Sequence, residues 1–194
     1  MNFAGKVVLV TGASSGIGRA TAESFAKHES YVVITGRNQP KLDETGKTCR
    51  ENGAKDVLQI KVDFSDISAV KSVVEKVVAK FKRLDILINN AGMAGMGSLS
   101  EETEEKFDFQ FAVNVKSLLF LTQQAMPFLV ESKGCVVNLS SVLSEECAPA
   151  MLSYGMSKAA VDYFTKTVAL EYAPKGVRVN SVNPGVIRTN VMER

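Results

Sequence analysis

Tyr154 and Lys158 lie four residues apart. On a helix they leave the same face, with Cβ atoms about 5–6 Å from each other. A phenol beside an ammonium suits one chemistry well. Carbonyl reduction needs a proton donor at the developing alkoxide, and alcohol oxidation needs a base at the same point. A free tyrosine, with a pKa of about 10, is a poor base near neutrality. An ammonium about 5 Å away, at an effective dielectric of about 20, favours the phenolate by about 3 kcal/mol, or two pKa units. The pair is therefore expected to bring the phenol towards the working range. Any helix can carry such a pair by accident, so its meaning depends on what surrounds it. Ser140 and Ser141, shortly before it, end a strand-like run. Neighbouring strand residues point to opposite sides, so one of the two hydroxyls can face the phenol and polarise a carbonyl oxygen.

A second group of residues suits phosphate binding. Thr11-Gly12-Ala13-Ser14-Ser15-Gly16-Ile17-Gly18 joins an apolar run to a helical stretch. Its glycines let the backbone approach a pyrophosphate, and the following helix N-terminus supplies free N–H groups and partial positive charge. Gly12, Ser14, Ser15, Gly16, Ile17 and Gly18 are the candidate cradle, although the spacing differs from GxGxxG and a purely structural turn is the competing reading. About twenty residues further on comes Thr35-Gly36-Arg37, where an adenosine ribose is met in dinucleotide folds. Arg37 can grip a 2′-phosphate bidentately, and Gly36 offers no acidic repulsion, which favours NADP over NAD. A solvated helix-start arginine is the plainer alternative.

These residues need a frame that brings them together. Short β-branched runs alternate with longer amphipathic stretches, the pattern of repeated βα units. Strands are expected near Lys6–Thr11, Tyr31–Thr35, Val57–Val62, Leu84–Asn89, Gly134–Leu139 and Val177–Val182. Helices are expected near Gly16–His28, Pro40–Asn52, Asp66–Phe81, Glu101–Glu131 and Leu152–Ala173, with Ser65 or Asp66 capping the third. The fold class is α/β, a doubly wound, mostly parallel sheet with helices on both faces. No linker or repeat divides the 194 residues, so they form one nucleotide-binding and catalytic domain. Gly92–Gly97 follows the fourth strand, where a ligand crevice opens in such sheets.

Composition narrows the function. A net charge of +2 without a run of like charges argues against a nucleic-acid partner. Three dispersed cysteines and a single histidine, His28, exclude a disulfide framework, a multi-histidine metal site and a histidine-based triad. No metal is expected. Val7–Val10 is too short for a signal peptide or a membrane span, so the expected setting is cytoplasmic, without a membrane partner.

The glycine turn, Asn89-Asn90-Ala91-Gly92, Tyr154-Gly155-Met156-Ser157-Lys158 and Asn183-Pro184-Gly185 together resemble the short-chain dehydrogenase/reductase family, in its compact single-domain subgroup. The resemblance implies the strand order 3-2-1-4-5-6 and hydride transfer between NADP(H) and a small-molecule carbonyl or secondary alcohol. It selects Ser141 by its thirteen-residue offset from Tyr154, assigns Lys158 to the nicotinamide ribose, and makes Asn114 the anchor of a proton-relay water. It also places Asp63 at the adenine amino group with Phe64 beside it, Asn90, Ala91 and Gly92 along the cofactor, and Pro184, Gly185, Ile187 and Thr189 at the nicotinamide. Each has a plainer alternative: Asp63 a strand-end cap, Asn90 a brace between loops, Asn114 a self-satisfied mid-helix amide, Thr189 a surface hydroxyl.

A homodimer through the two longest helices is implied as well. Members of the subgroup usually run to about 250 residues. The resemblance therefore implies a chain short of the usual substrate loop, one helix and a seventh strand, with an exposed sheet edge at Val177–Val182. Sterol, sugar, acyl thioester and xenobiotic carbonyl all stay open as substrates. The alternative function is a catalytically silent nucleotide-binding protein acting through its dimer surface. An epimerase of the longer relatives is disfavoured.

Overall fold

The computed structural model describes residues 2–187. Its centre is one six-stranded, all-parallel sheet in the order β3-β2-β1-β4-β5-β6. The strands are β1 (Val7–Val10), β2 (Tyr31–Gly36), β3 (Asp56–Lys61), β4 (Ile86–Asn89), β5 (Cys135–Leu139) and β6 (Arg178–Val182). Alternation along β1 explains the two-sided core. Val7 and Leu9 face one layer, with the α3 (Ile67–Phe81) valines Val70, Val73, Val74 and Val77 and with Leu121 and Leu129. Val8 and Val10 face the other, with Ala22 and Ala26 of α1 (Gly16–Ala26) and Leu42 of α2 (Gln39–Glu51). A strand buried on both faces must be apolar throughout, as Val7-Val8-Leu9-Val10 is.

Local chemistry sets the helix limits. Asp66 caps α3, accepting from the N–H groups of Ser68 at 2.9 Å and Ala69 at 3.2 Å, and Asn38 caps α2 through the Lys41 N–H. Helix α1 stops at Ala26, two residues before its expected end. His28 lies beyond it, exposed, with its ring edge-on to Phe3.

The helix expected at Glu101–Glu131 is corrected most. A separate 3₁₀ turn, Leu99–Glu101, is closed by a Ser98–Glu101 capping box. Thr103 then caps α4 (Glu104–Phe111), and the backbone widens into a π-helical turn, Ala112–Lys116, before continuing as α5 (Ser117–Ser132). The Ser117 hydroxyl donates to the Val113 carbonyl at 2.6 Å inside this segment. Helix α6 (Leu152–Tyr172) is continuous. Among the described residues, β6 pairs only with β5 and forms one edge of the sheet.

Candidate active site

The switch point of the sheet, between β1 and β4, is tied by side chains. Thr11 Oγ1 donates to the Ile88 carbonyl and accepts from the N–H groups of Asn90 and Ala91, both at 2.9 Å. Asn90 Nδ2 returns to the carbonyls of Thr11 at 2.8 Å and Gly12 at 3.2 Å. Asn90 is thus the brace between two loops. The turn has no room for side chains. Gly12 has a φ of +64°, and a Cβ there would come within 2.9 Å of the Ala91 Cα; one at Gly18 would strike Asn90 Nδ2 and come within 2.6 Å of the Gly12 carbonyl oxygen. Ser15 starts α1 without a side-chain cap, and Ser15, Gly16 and Ile17 line the cavity above the turn.

That cavity holds about 790 Å³ and runs from the glycine turn across the carboxyl ends of the strands to α6. Gly12, Ser14, Ser15, Gly16, Ile17, Arg37, Asp63, Phe64, Asn90, Ala91, Gly92, Ser141, Tyr154, Lys158, Pro184, Gly185 and Ile187 all line it. Gly18 and Asn114 stand behind its wall, and Thr189 lies outside the described residues.

At one end, Arg37 and Asp63 are each about half exposed and approach to 3.8 Å. Burial would raise the Asp63 carboxyl, but the N–H and hydroxyl of Ser65, together with the Arg37 cation, hold it below the usual carboxylate range. Gly36 brings no acidic side chain to Arg37, but the Asp63 carboxylate stands beside its guanidinium.

At the other end, Ser140 and Ser141 part as alternation requires. The Ser140 hydroxyl donates to the Lys158 carbonyl at 3.2 Å, whereas Ser141 Oγ lies against the Tyr154 phenol and accepts from the Leu143 N–H at 3.2 Å. Lys158 Nζ donates to the Leu139 carbonyl at 2.7 Å and sits 5.7 Å from the centre of the Tyr154 ring.

Here an expectation is corrected. Burial pushes the Tyr154 phenol above its ordinary value, and only the Ser141 hydrogen bond pulls it down. Lys158, fully enclosed, is itself held down to about 8 by burial, partly offset by the Asp162 carboxylate. Desolvation is the larger effect on the phenol, and the Ser141 hydrogen bond is what opposes it, while the Lys158 amine is turned to the Leu139 carbonyl.

Asn114 sits in the π turn. It accepts from the Met93 N–H and donates to the Met93 carbonyl, both at 2.9 Å, and donates to the Ser157 hydroxyl at 3.0 Å. Its side chain is fully engaged in holding the roof of the cavity.

One contributor, Asp162, was not anticipated from the sequence, and Asn183, visible there as part of the Asn183-Pro184-Gly185 motif, had no role assigned to it. Asp162 is buried one turn beyond Lys158 and accepts from Asn183 Nδ2 at 2.7 Å, and Asn183 also reaches the Ser141 carbonyl at 3.3 Å and the Ser144 hydroxyl at 3.0 Å. This network fixes the serine loop to the Pro184-Gly185 turn. The i, i+4 spacing of Lys158 and Asp162 was the one visible signal of the latter.

Six parallel strands, helices on both faces and a cavity above the switch point define a doubly wound, Rossmann-type α/β protein. Residues 6–194 match the sequence profile of the short chain dehydrogenase family, and the chain belongs to that family. It is 38% identical to the 3-oxoacyl-(acyl-carrier-protein) reductase FabG of Thermotoga maritima over 195 residues, covering 100% of this chain and 79% of that protein. The L-sorbose reductase of Gluconobacter frateurii, solved with NADPH and L-sorbose, superposes with a TM-score of 0.94 at 34% identity, over 97% of this chain and 72% of that one. An NAD+-bound xylitol dehydrogenase superposes with a TM-score of 0.90 at 31% identity, over 95% and 72%. Among the described residues no helix is long and apolar enough to cross a membrane, and no cluster of His, Cys, Asp and Glu could hold a metal.

Proposed function

We propose that the chain moves a hydride between NADP(H) and a carbonyl or secondary alcohol, with Tyr154 as the acid and base. The observation that carries this reading is the convergence of Tyr154, Ser141 and Lys158 on the cavity that Arg37 and the glycine turn line at its other end. A nicotinamide nucleotide fits the residues present: Gly12 and Gly18 keep a cradle that a Cβ would fill, beside an α1 N-terminus with no side-chain cap. When bound, that group supplies or accepts the hydride. The chain's own residues do the rest. Ser141 donates to the carbonyl oxygen, Tyr154 delivers a proton to it in reduction or withdraws one in oxidation, and Lys158 holds the cofactor ribose. Asn90, Ala91, Gly92, Pro184, Gly185 and Ile187 shape the cofactor's path, Asp63 and Phe64 flank the adenine end, and Asn114 supports the cavity roof.

Tyr154→Phe tests the reading. It should abolish turnover while leaving nucleotide affinity within about twofold, since it removes the proton and little packing. Retention of more than a few per cent of activity would move the acid elsewhere. Nucleotide binding without turnover on any ketone in the unmodified chain would favour the catalytically silent alternative.

Cofactor choice is tested by titration. A charge-assisted bond from Arg37 to the 2′-phosphate should favour NADPH over NADH about ten- to a hundredfold, and Arg37→Asp should erase that preference. Equal affinities in the unmodified chain would sink the NADP assignment.

The proposed assembly is a dimer through α5 and α6. Met156, Tyr163 and Leu170 recur at intervals of seven along α6 and stand exposed, as does Leu119 of α5. Sedimentation of a monomer at micromolar concentration would count against it.

A further inference from the structure

The half of the cavity beyond Tyr154 is walled by hydrocarbon side chains, and most of the backbone groups behind them are already hydrogen-bonded. Met93, Phe109, Val113, Val142, Leu143 and Met151 form its walls. The charged residues lining the cavity are Arg37 and Asp63, beside the glycine turn, and Lys158, whose amine is turned to the Leu139 carbonyl. Apolar side chains alone would leave peptide groups to bind a polar ligand, but here most of those groups are taken. Both the N–H and the carbonyl of Met93 are bonded to Asn114. The Val142 N–H donates to the Pro184 carbonyl, the Leu143 N–H to Ser141 Oγ, and the Met151 N–H to the Ala148 carbonyl. The Met151 carbonyl accepts from Gly155, and that of Val142 from Glu145 and Glu146. The polar side chains at this end, besides Lys158 and the already bonded Ser140, are Ser141 and Tyr154, which one carbonyl oxygen uses up.

We infer that this site takes apolar cyclic or branched ketones and the matching secondary alcohols, and rejects polyhydroxylated and charged carbonyl compounds. The inference rests on the oxidoreductase reading above and names its substrate class. The discrimination comes from what the wall withholds. A hydroxyl carried into it loses water and finds few partners, at a cost of about tenfold in affinity for each group left stranded. A single added hydroxyl is rejected by an apolar pocket by about a hundredfold at most, so several are needed for a clear result. Besides Lys158, whose amine is turned to the Leu139 carbonyl, no cation lines this end among the described residues, so an anionic carrier or carboxylate would also lack a partner. Thioether side chains at Met93 and Met151 adapt to varied apolar outlines, which favours a class of ketones over one exact shape.

The test pairs two ligands with the same ring and the same carbonyl: 4-tert-butylcyclohexanone and a pentahydroxylated cyclohexanone. Binding is read in the NADPH-mixed protein from the ¹³C ε-methyl signals of its methionines, seven in all. The Met93 and Met151 signals are assigned with Met93→Leu and Met151→Leu. Turnover is read separately as NADPH oxidation. The apolar ketone should shift both methyl signals and bind at least about a hundredfold more tightly than the pentol. Met151→Gln, which keeps the length of the side chain and adds an amide, should narrow that ratio about tenfold. Equal or tighter binding of the pentol, or binding of neither at millimolar concentration, overturns the substrate class. Selective binding of the apolar ketone without NADPH oxidation upholds the pocket's preference and overturns the oxidoreductase reading instead.

Discussion

Lys158 shows most plainly how one side chain can be legible in kind and illegible in degree. Its place four residues after Tyr154 is visible in the sequence, and so is the serine pair before them. The surroundings are not. That the amine is buried in the cavity wall against the Leu139 carbonyl depends on how α6 lies across β5. Burial lowers the amine to about 8, against about 10.4 for an exposed lysine. The unfolded chain therefore binds more protons between these values. Stability gained from releasing that proton grows as pH rises from about 8 towards 10.4, and below about 8 the buried charge costs up to about 3 kcal/mol. Lys158→Met should accordingly be more thermostable than the parent at pH 7, and its margin should shrink steadily towards pH 10. Melting curves of the two proteins across that range provide the check, and a margin independent of pH would show an amine that titrates as if exposed.

At the scale of elements, periodicity located every strand and the glycine turn, because apolar alternation and backbone approach are written in residue types. It ran one helix too far at Glu101 and missed the widened turn inside it. A π turn adds a residue without changing composition, so it leaves no mark until Asn114 is seen bonded to both backbone groups of Met93. Asn90 lines the cavity, as the resemblance implies, while its side-chain amide also makes the loop brace that was the plainer alternative, through the Thr11 and Gly12 carbonyls. Two variants probe these supports. Gly18→Ala forces a methyl against the Gly12 carbonyl and the Asn90 amide, with little freedom to yield; about 1–3 kcal/mol of strain should appear as a ten- to hundredfold loss of nucleotide affinity, measured by titration. Asn114→Ala leaves both Met93 backbone groups without their partner, and should cost about 1–3 kcal/mol in thermal unfolding.

For the molecule as a whole, the sheet is held at its amino end as firmly as at its carboxyl end. Asp85 is almost fully buried and accepts from Lys6 Nζ at 3.1 Å, the Val7 N–H at 3.0 Å, and Arg83 at 2.8 and 2.6 Å. Burial would raise its carboxyl, yet these donors hold it below the usual range. Its contribution is present above the unfolded value of about 3.9 and lost as pH falls through the lower folded value. Asp85→Asn should lower stability at pH 7 by about 1.5–3 kcal/mol, or about 3–12 °C in melting temperature, with the gap closing below pH 4.

The strand order also carries a timetable. Val8 pairs on one side with Val32 and on the other with Ile86, about 80 residues later in the chain. During synthesis at about 5–20 residues per second, β1, β2 and β3 can assemble while one edge of β1 waits about 4–16 s for β4 to emerge. That edge is Val7-Val8-Leu9-Val10, an uncharged run of backbone donors and acceptors open to any passing strand. A nascent chain halted between β3 and β4 should therefore aggregate on release, and so should one halted between β4 and β5, which bares the uncharged Ile86–Asn89 edge, whereas a chain carrying all six strands should stay in solution. The centre of the finished sheet is, for those seconds, its most adhesive margin.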